Sequence, residues 1–239
     1  MPAAEASQWV DDTMPKVPRS SGRVPNDEFL RTVATVYRLR RSETNPSEVA
    51  KRVRSRAQHP GVHDGPMTTT WTAPAVERPE GPLTGDERPM LQGFLDWHRA
   101  TLLHKCAGLT GEQLAERAVP PSNLSLLGLV RHLTKVERTW FRRRFAGEPV
   151  DDLFQAGGRR DVDFEDLDPK AAAADYARFV EECRLADAAV AGASLDDTFT
   201  QSGEAHSLRL VYLHLIQEYS RHNGHADLLR QRVDGVTGA

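Results

Sequence analysis

The chain has 239 residues, of which 39% are hydrophobic and 27% are charged, and its net charge is −3. This composition is that of a water-soluble globular protein, and no segment approaches the roughly 18 continuous apolar residues of a membrane span. The small net charge gives no support to a nucleic-acid binder or to a protein that seeks acidic partners.

Only two cysteines occur, Cys106 and Cys183, and each lies within a helical pattern. Two cysteines make no disulfide framework, and they fit a reducing compartment. We expect both to be buried as small hydrophobic residues, with one bridge between them as the alternative. The N-terminus has acids and prolines where a signal peptide needs a basic start and an apolar run. We therefore expect a cytoplasmic protein.

The two parts of the chain differ in charge. Residues 1–66 carry a net charge of +3, whereas residues 67–239 carry −6. We predict that residues 1–66 are an N-terminal extension, largely disordered or with short helices and outside the core. Residues 67–82 are rich in Pro and Gly and are predicted to be a linker, and residues 83–239 are predicted to form the folded domain.

Two short helices are predicted within the extension, over residues 27–41 and 47–56. The second is basic, so the pair could begin a DNA-binding helix-turn-helix. No third helix follows, because the sequence continues as AQHPGVHDGP. A DNA-binding regulator is therefore the weakest alternative, and we do not expect a nucleic-acid partner.

Beyond the linker the pattern predicts helices and no strands. An acidic loop over residues 146–167 is long for a helix connection, and such loops often shape the rim of a pocket. Four long helices with single apolar stripes and long connections predict an all-α four-helix bundle. The long helices are predicted over residues 86–107, 125–145, 169–191 and 207–234, with a short helical turn over residues 110–117.

Several residues mark the predicted helix ends and faces. Thr110 and Gln113 have capping-box spacing, and Asp168 is a predicted N-cap. The run of arginines at 142–144 is expected to be a solvated helix end, while Glu137 and Glu148 are expected to be solvated or paired rather than catalytic. The first long helix has an inward stripe of Leu91, Phe94, Leu95, His98, Leu102 and Cys106.

The last helix, residues 207–234, carries the most unusual pattern. Ser207 is a plausible N-cap, and Gly235 sits where the helix should stop. Its predicted apolar stripe consists of Leu208, Val211, Leu215, Ile216, Leu228 and Leu229. Beside that stripe, three histidines and a glutamate fall within an arc of roughly 80°. These are His214, Glu218, His222 and His225.

This face predicts a metal site. Glu218 and His222 are four residues apart, so their side chains stack on successive turns and can chelate one ion. His214 with Glu218, and His222 with His225, are alternative pairs. A third ligand must come from another helix, and His132 is the best candidate because it lies beside an apolar stripe.

Two imidazoles and a carboxylate suit Zn²⁺, with Ni²⁺ and Fe²⁺ as further candidates. Three protein ligands leave at least one position open, as in catalytic zinc sites. On this reasoning the metal would serve chemistry rather than only the fold.

Two stretches, SLLGLVRHLTKVERTWF and LHLIQEYSRHNGHADLLRQRVDG, resemble the DinB-like superfamily of four-helix metal proteins. Within it they most resemble an actinobacterial branch close to the streptomycete mini-circle protein. The resemblance runs from about residue 83 to the C-terminus. It implies a metal bound by one His of the second helix and by two ligands four residues apart on the last. By position these are His132, Glu218 and His222.

Many members have His at the position of Glu218, whereas the mycothiol-dependent maleylpyruvate isomerases have Glu. The resemblance therefore points toward that branch. Where the superfamily continues with Arg-Gly-Gln, this chain has Asn223-Gly224-His225, which leaves the role of His225 open. His225 and His214 are candidates for a base or for a group that orients a ligand.

The resemblance implies a divalent-metal-dependent S-transferase or isomerase that uses mycothiol or a similar small thiol. A thiol that enters the open position of the metal loses its proton and can attack an electrophilic small molecule. The alternative is a non-catalytic protein that binds a metal or a small ligand in a stress response. Relatives also suggest a homodimer.

Overall fold

Four long helices pack together in the computed structural model, which describes residues 70–154 and 162–237. In chain order the helices are α1 (Glu87–Cys106), α2 (Gly111–Ala115), α3 (Leu126–Glu137), α4 (Val162–Glu165), α5 (Ala172–Val190) and α6 (Leu208–Asp234). A π-helical segment, Arg138–Phe145, continues α3, and the 3₁₀ turn Pro169–Ala171 leads into α5. The predicted all-α fold is confirmed. The extension over residues 1–66, with its two predicted helices, lies outside the described residues.

A short hairpin precedes the last helix, although the sequence pattern predicted no strands. Strands β1 (Thr198–Gln201) and β2 (Glu204–Ser207) pair antiparallel, with Gln201 opposite Glu204. Ser202 and Gly203 connect them with φ of 51° and 84°, and positive φ at both positions is typical of a two-residue hairpin turn. Runs of four residues are too short to show an alternating pattern, which explains why the prediction was wrong.

Most of the predicted helix ends are seen in the structure. The Ser207 side chain accepts a hydrogen bond from the backbone N–H of Leu210, and Gly235 ends α6 with φ of 80°. Thr110 and Gln113 form the predicted capping box, and Asp168 caps the turn before α5. These local signals correctly predicted both ends of α6 and the starts of α2 and of the turn before α5.

The predicted apolar stripes of α1 and α6 each include a residue that the structure shows to be exposed. On α6, Leu228 is 59% exposed and does not belong to the core stripe, because it lies about 200° around the helix from Leu208. Phe94 of α1 is likewise exposed at 42%, whereas its neighbour Leu95 is buried. The apolar face of α3 and of the π-helical segment after it is buried throughout, namely Leu126, Leu129, Val130, Leu133, Val136 and Trp140.

Residues ahead of α1 also pack onto the bundle. The backbone N–H of Ala73 donates to the carbonyl of Leu109, and the N–H of Gly108 donates to the carbonyl of Ala73. Ala73 is buried, and the ring of Trp71 lies 6.0 Å from that of Tyr176 on α5. The packed unit therefore begins before residue 83, within the stretch predicted as a linker.

A buried charge network joins the four long helices. The guanidinium of Arg99 on α1 is fully buried and pairs with Glu137 of α3 at 2.7 Å and with Asp187 of α5 at 2.9 Å. Asp96 adds a third carboxylate at 3.1 Å. The hydroxyl of Tyr219 on α6 donates to Glu137 at 2.8 Å. Glu137 was expected to be either solvated or paired, and the structure shows it paired.

The arginine run after α3 is not a solvated helix end. Arg142 pairs with Glu148 and Glu182, and Arg143 pairs with Asp152. The guanidinium of Arg144 lies over the ring of Trp140. The prediction from the helix dipole was wrong because the π-helical segment packs against α5, where Glu182 is buried.

Both cysteines are free and buried, so the expected packing role is confirmed and the alternative bridge is not formed. Within residues 70–154 and 162–237, every helix is too short or too polar to cross a membrane.

Candidate metal centre

The structure brings together the three residues that the sequence predicts as ligands. One ligand atom from each of His132, Glu218 and His222 lies within 4.8 Å of the other two. Nε2 of His222 is 3.4 Å from Oε2 of Glu218, and Nε2 of His132 is 3.8 Å from the same oxygen. Donors around one tetrahedral zinc ion lie about 3.4 Å apart, so the separations suit a single cation.

The positions of these groups follow from the packing of α3 against α6. Glu218 and His222 occupy successive turns of α6, and His132 projects from α3 so that its ring lies 4.8 Å from that of His222. The side chains of His132, Glu218 and His222 are 21%, 14% and 9% exposed. The site is therefore mostly desolvated, and His132 is the most exposed of the three side chains.

A carboxylate from the connection after α3 holds the other side of His132. Nδ1 of His132 lies 3.0 Å from Oδ2 of Asp163 on α4, and Lys135 pairs with the same carboxylate. Metal-binding histidines commonly donate their second N–H to a carboxylate in this way, which fixes the tautomer and the ring orientation.

Gly128 permits this approach of α4. It lies one turn before His132, and a Cβ atom there would come within 2.6 Å of the Phe164 ring. The Phe164 ring in turn packs 5.3 Å from the ring of His132. A glycine at this position therefore lets α4 bring Asp163 to the imidazole.

The charges of the site favour an ionised carboxylate between two imidazoles. Burial raises the pKa of Glu218, but contacts with His132, His222 and Arg221 outweigh it and hold that pKa well below its usual range. Burial lowers the pKa of His132, whereas Asp163 and Glu218 raise it, and the net shift is upward. Burial lowers the pKa of His222, and Glu218 offsets this only in part. Glu218 thus supplies one negative charge to a cation.

Two buried nitrogen atoms indicate that this group of residues fits a metal ion. Among the described residues, neither Nε2 of His132 nor Nε2 of His222 has a hydrogen-bond partner. Leaving a buried polar atom unpaired costs about 1–3 kcal/mol. Both atoms face Glu218, so a divalent cation between the three side chains would satisfy both of them.

The two other histidines of this face take different places. Nδ1 of His225 lies 3.3 Å from Nδ1 of His222, which sets His225 behind a candidate ligand. The ring of His214 instead packs 4.2 Å from the ring of Trp140. Burial lowers the pKa of His214, so its imidazole is neutral at pH 7. The group of mutually close candidate ligands contains neither residue.

Sequence reasoning missed Asp163 and Lys135. Asp163 lies 31 residues from His132, in a connection without periodicity, so no spacing could link the two. Lys135 is three residues from His132 on α3 and could have been placed on the same face. Residues 155–161 of the acidic loop lie outside the described residues, so its predicted role as a pocket rim stays a prediction.

Comparison with known proteins gives one positive result. No curated protein and no solved structure matches the chain. The family model described as Mycothiol-S-transferase matches residues 90–235, a range that includes His132, Asp163, Glu218 and His222. This range is more than half of the chain. The chain therefore belongs to the mycothiol-S-transferase family.

Proposed function

We propose that this protein is a divalent-metal-dependent S-transferase that conjugates a small thiol of the mycothiol type to an electrophilic small molecule. The observation that carries the proposal is the pair of buried imidazole nitrogens, on His132 and His222, that face an ionised Glu218 without hydrogen-bond partners among the described residues. Membership of the family supports the thiol and the transfer. The donor set favours Zn²⁺, with Ni²⁺ or Fe²⁺ as further candidates.

Three side chains of the site would bind the cation, and two others would orient the histidine ligands. A divalent cation held by His132, Glu218 and His222 would lower the pKa of a thiol in its open position, so that the thiolate is present at neutral pH. Asp163 accepts the Nδ1 proton of His132 and keeps Nε2 turned toward the site. His225 holds Nδ1 of His222 in the same manner.

The proton that the thiol releases needs an acceptor. His214 lies one helical turn from Glu218, and its imidazole is neutral because burial lowers its pKa. We propose His214 as the group that receives this proton. During transfer the sulfur–carbon bond forms, the bond to the leaving group breaks, and the leaving group departs with the electron pair.

The test is a panel of thiols with metal-loaded full-length protein. Mycothiol, glutathione and cysteine are each offered with an electrophilic aryl chloride after loading with Zn²⁺, Ni²⁺ or Fe²⁺. We expect conjugation with mycothiol and loss of it in Glu218→Gln. Metal binding without turnover for any thiol would overturn the proposal and favour the non-catalytic metal-binding protein.

We also propose a homodimer and a cytoplasmic location. Both rest on the sequence, through the resemblance to the superfamily and the use of cysteine. Analytical ultracentrifugation of the full chain tests the first, and a monomer at micromolar concentration would contradict it.

A further inference from the structure

An arginine stacked on an aromatic ring lies beside the candidate metal centre. The guanidinium of Arg144 is 4.3 Å from the centre of the Trp140 ring, and the Trp140 ring is 4.2 Å from that of His214. Trp140 is buried, whereas Arg144 and His214 are half-buried. The three side chains therefore form a cationic and aromatic wall, which we call the Arg144 wall.

The Arg144 wall adjoins the metal ligands. His214 precedes Glu218 by four residues on α6, which is about 6 Å along the helix. The His214 ring also packs against Trp140, on which Arg144 stacks, so His214 connects Arg144 to the helical turn before Glu218. The Arg144 wall therefore borders the candidate metal centre through His214.

Arg144 differs from the two arginines before it. Arg142 pairs with Glu148 and Glu182, and Arg143 pairs with Asp152. Within residues 70–154 and 162–237, Arg144 has the Trp140 ring as its contact and no carboxylate partner. No carboxylate of the described residues thus neutralises its charge, although burial has removed part of its water. A partly desolvated cation of this kind gains most from an incoming anion.

The π-helical winding explains the placement. Trp140 and Arg144 belong to the segment Arg138–Phe145, in which the N–H of Ala146 donates to the carbonyl of Phe141, five residues earlier. π-helical turns are rare and are frequently found at functional sites. Here the segment stacks Arg144 on Trp140 while Arg142 reaches Glu182 of α5.

We infer that the Arg144 wall is an anion subsite that binds a carboxylate on the electrophilic substrate. This inference rests on the proposed function, since it names the class of electrophile that the site takes. The guanidinium binds a carboxylate with two parallel hydrogen bonds, and its single charge matches a single carboxylate. The half-buried His214 ring offers a flat surface against which the body of the acid can pack. The substrate class is a small organic acid with an electrophilic carbon close to its carboxylate.

The test uses two electrophiles that differ in one charge, a chloronitrobenzoate and the matching chloronitrobenzamide. In both, the thiol sulfur bonds to the ring carbon, the carbon–chlorine bond breaks, chloride leaves with the electron pair, and the thiol proton passes to a base. The readout is the ratio of kcat/KM for the acid to kcat/KM for the amide. We expect the full-length, metal-loaded protein to favour the acid by at least about tenfold, as a charged hydrogen-bonded pair provides.

Variants assign that preference to Arg144. Arg144→Gln should abolish it, and Arg144→Lys should retain part of it. The matched control is Arg78→Gln, because Arg78 also stacks on a tryptophan, Trp97. This pair lies away from the candidate metal centre, since His98, next to Trp97, contacts Ser220 on the side of α6 opposite to Glu218. Arg78→Gln should keep the full preference. An unchanged acid-to-amide ratio in Arg144→Gln would overturn the subsite.

A binding experiment separates this inference from the proposed function. Calorimetric titration of the chloronitrobenzoate into the metal-loaded protein without thiol should show binding that Arg144→Gln weakens about tenfold and Arg78→Gln does not. If no thiol supports turnover but this binding persists, the proposed function fails and the subsite stands. If turnover occurs without preference for the acid, the function stands and the subsite fails.

Discussion

Nδ1 of His132 lies 3.0 Å from the carboxylate of Asp163, so the imidazole that closes the candidate metal centre is held from a different helix. Burial raises the pKa of Asp163, but its contacts with His132 and Lys135 outweigh burial, and the net pKa lies below the usual value. Asp163 is therefore ionised and accepts the Nδ1 proton, which leaves Nε2 of His132 free for a cation.

Replacing Asp163 with Asn should weaken metal binding. The amide removes the negative charge that fixes the tautomer of His132, and loss of such an outer partner typically costs about 10–100-fold in metal affinity. Competition with a chromophoric chelator measures the change. Lys135→Met is the control, since it leaves the Asp163 carboxylate in place, and it should retain affinity close to that of the wild type. Equal affinities for Asp163→Asn and the wild type would contradict this role.

His225 and His214 should separate in their effects. His225→Phe removes the partner of Nδ1 on His222 and should weaken zinc binding by roughly tenfold. This is the lower limit of the loss in metal affinity that is typical when the partner of a ligand is removed. His214→Phe keeps an aromatic ring against Trp140 and should leave zinc affinity unchanged while lowering the rate of thiol transfer. The reverse pattern, with His214 controlling affinity, would show that His214 is a ligand.

The buried Arg99 should matter for stability. Arg99→Met leaves Glu137 buried without its ion pair, and breaking a buried pair in this way typically costs about 3–5 kcal/mol in the free energy of unfolding. Urea denaturation measures the loss. Arg209→Gln is the control, because Arg209 forms partly exposed pairs with Glu87 and Asp196 that are worth about 0–1 kcal/mol. Similar losses in the two variants would show that the Arg99 network is not a main source of stability.

Asp96 should make stability fall as the pH rises. Burial raises its pKa to about 6, and neighbouring Asp187 adds to this while Arg99 and Gln92 oppose it. The folded protein therefore keeps this proton to a higher pH than the unfolded chain, so stability is lost between about pH 4 and pH 6. Asp96→Asn should be more stable than the wild type at about pH 7.5, by at most roughly 2–3 kcal/mol, and the gain should vanish near pH 4. Urea midpoints at both pH values test this, and the same difference at both would contradict it.

How far the sequence predicted this structure depends on how local each signal is. Ser207 and Gly235 act within one turn of their own helix, and both ends were predicted correctly. The i, i+4 spacing of Glu218 and His222 is equally local. That His132 faces them came from the resemblance and from its place beside an apolar stripe.

The features that were missed depend on distant partners. Asp163 meets His132 only after a long connection has folded back, with Gly128 making room for Phe164. The arginines at 142–144 looked like a solvated helix end, yet the partners of Arg142 and Arg143 lie on the loop that follows and on α5. Leu228 matched the expected apolar spacing but points away from the core. Only the packing of the helices decides such cases.

The most direct test of the metal centre is the zinc affinity and stoichiometry of the full chain, measured by chelator competition. The wild type should bind one Zn²⁺ per chain. His132→Ala, Glu218→Gln and His222→Ala should each lose more affinity than the about 10–100-fold expected of an outer partner. His104→Ala, at an exposed position of α1, should bind as the wild type does. Undiminished zinc binding in His132→Ala or Glu218→Gln would contradict the centre described above.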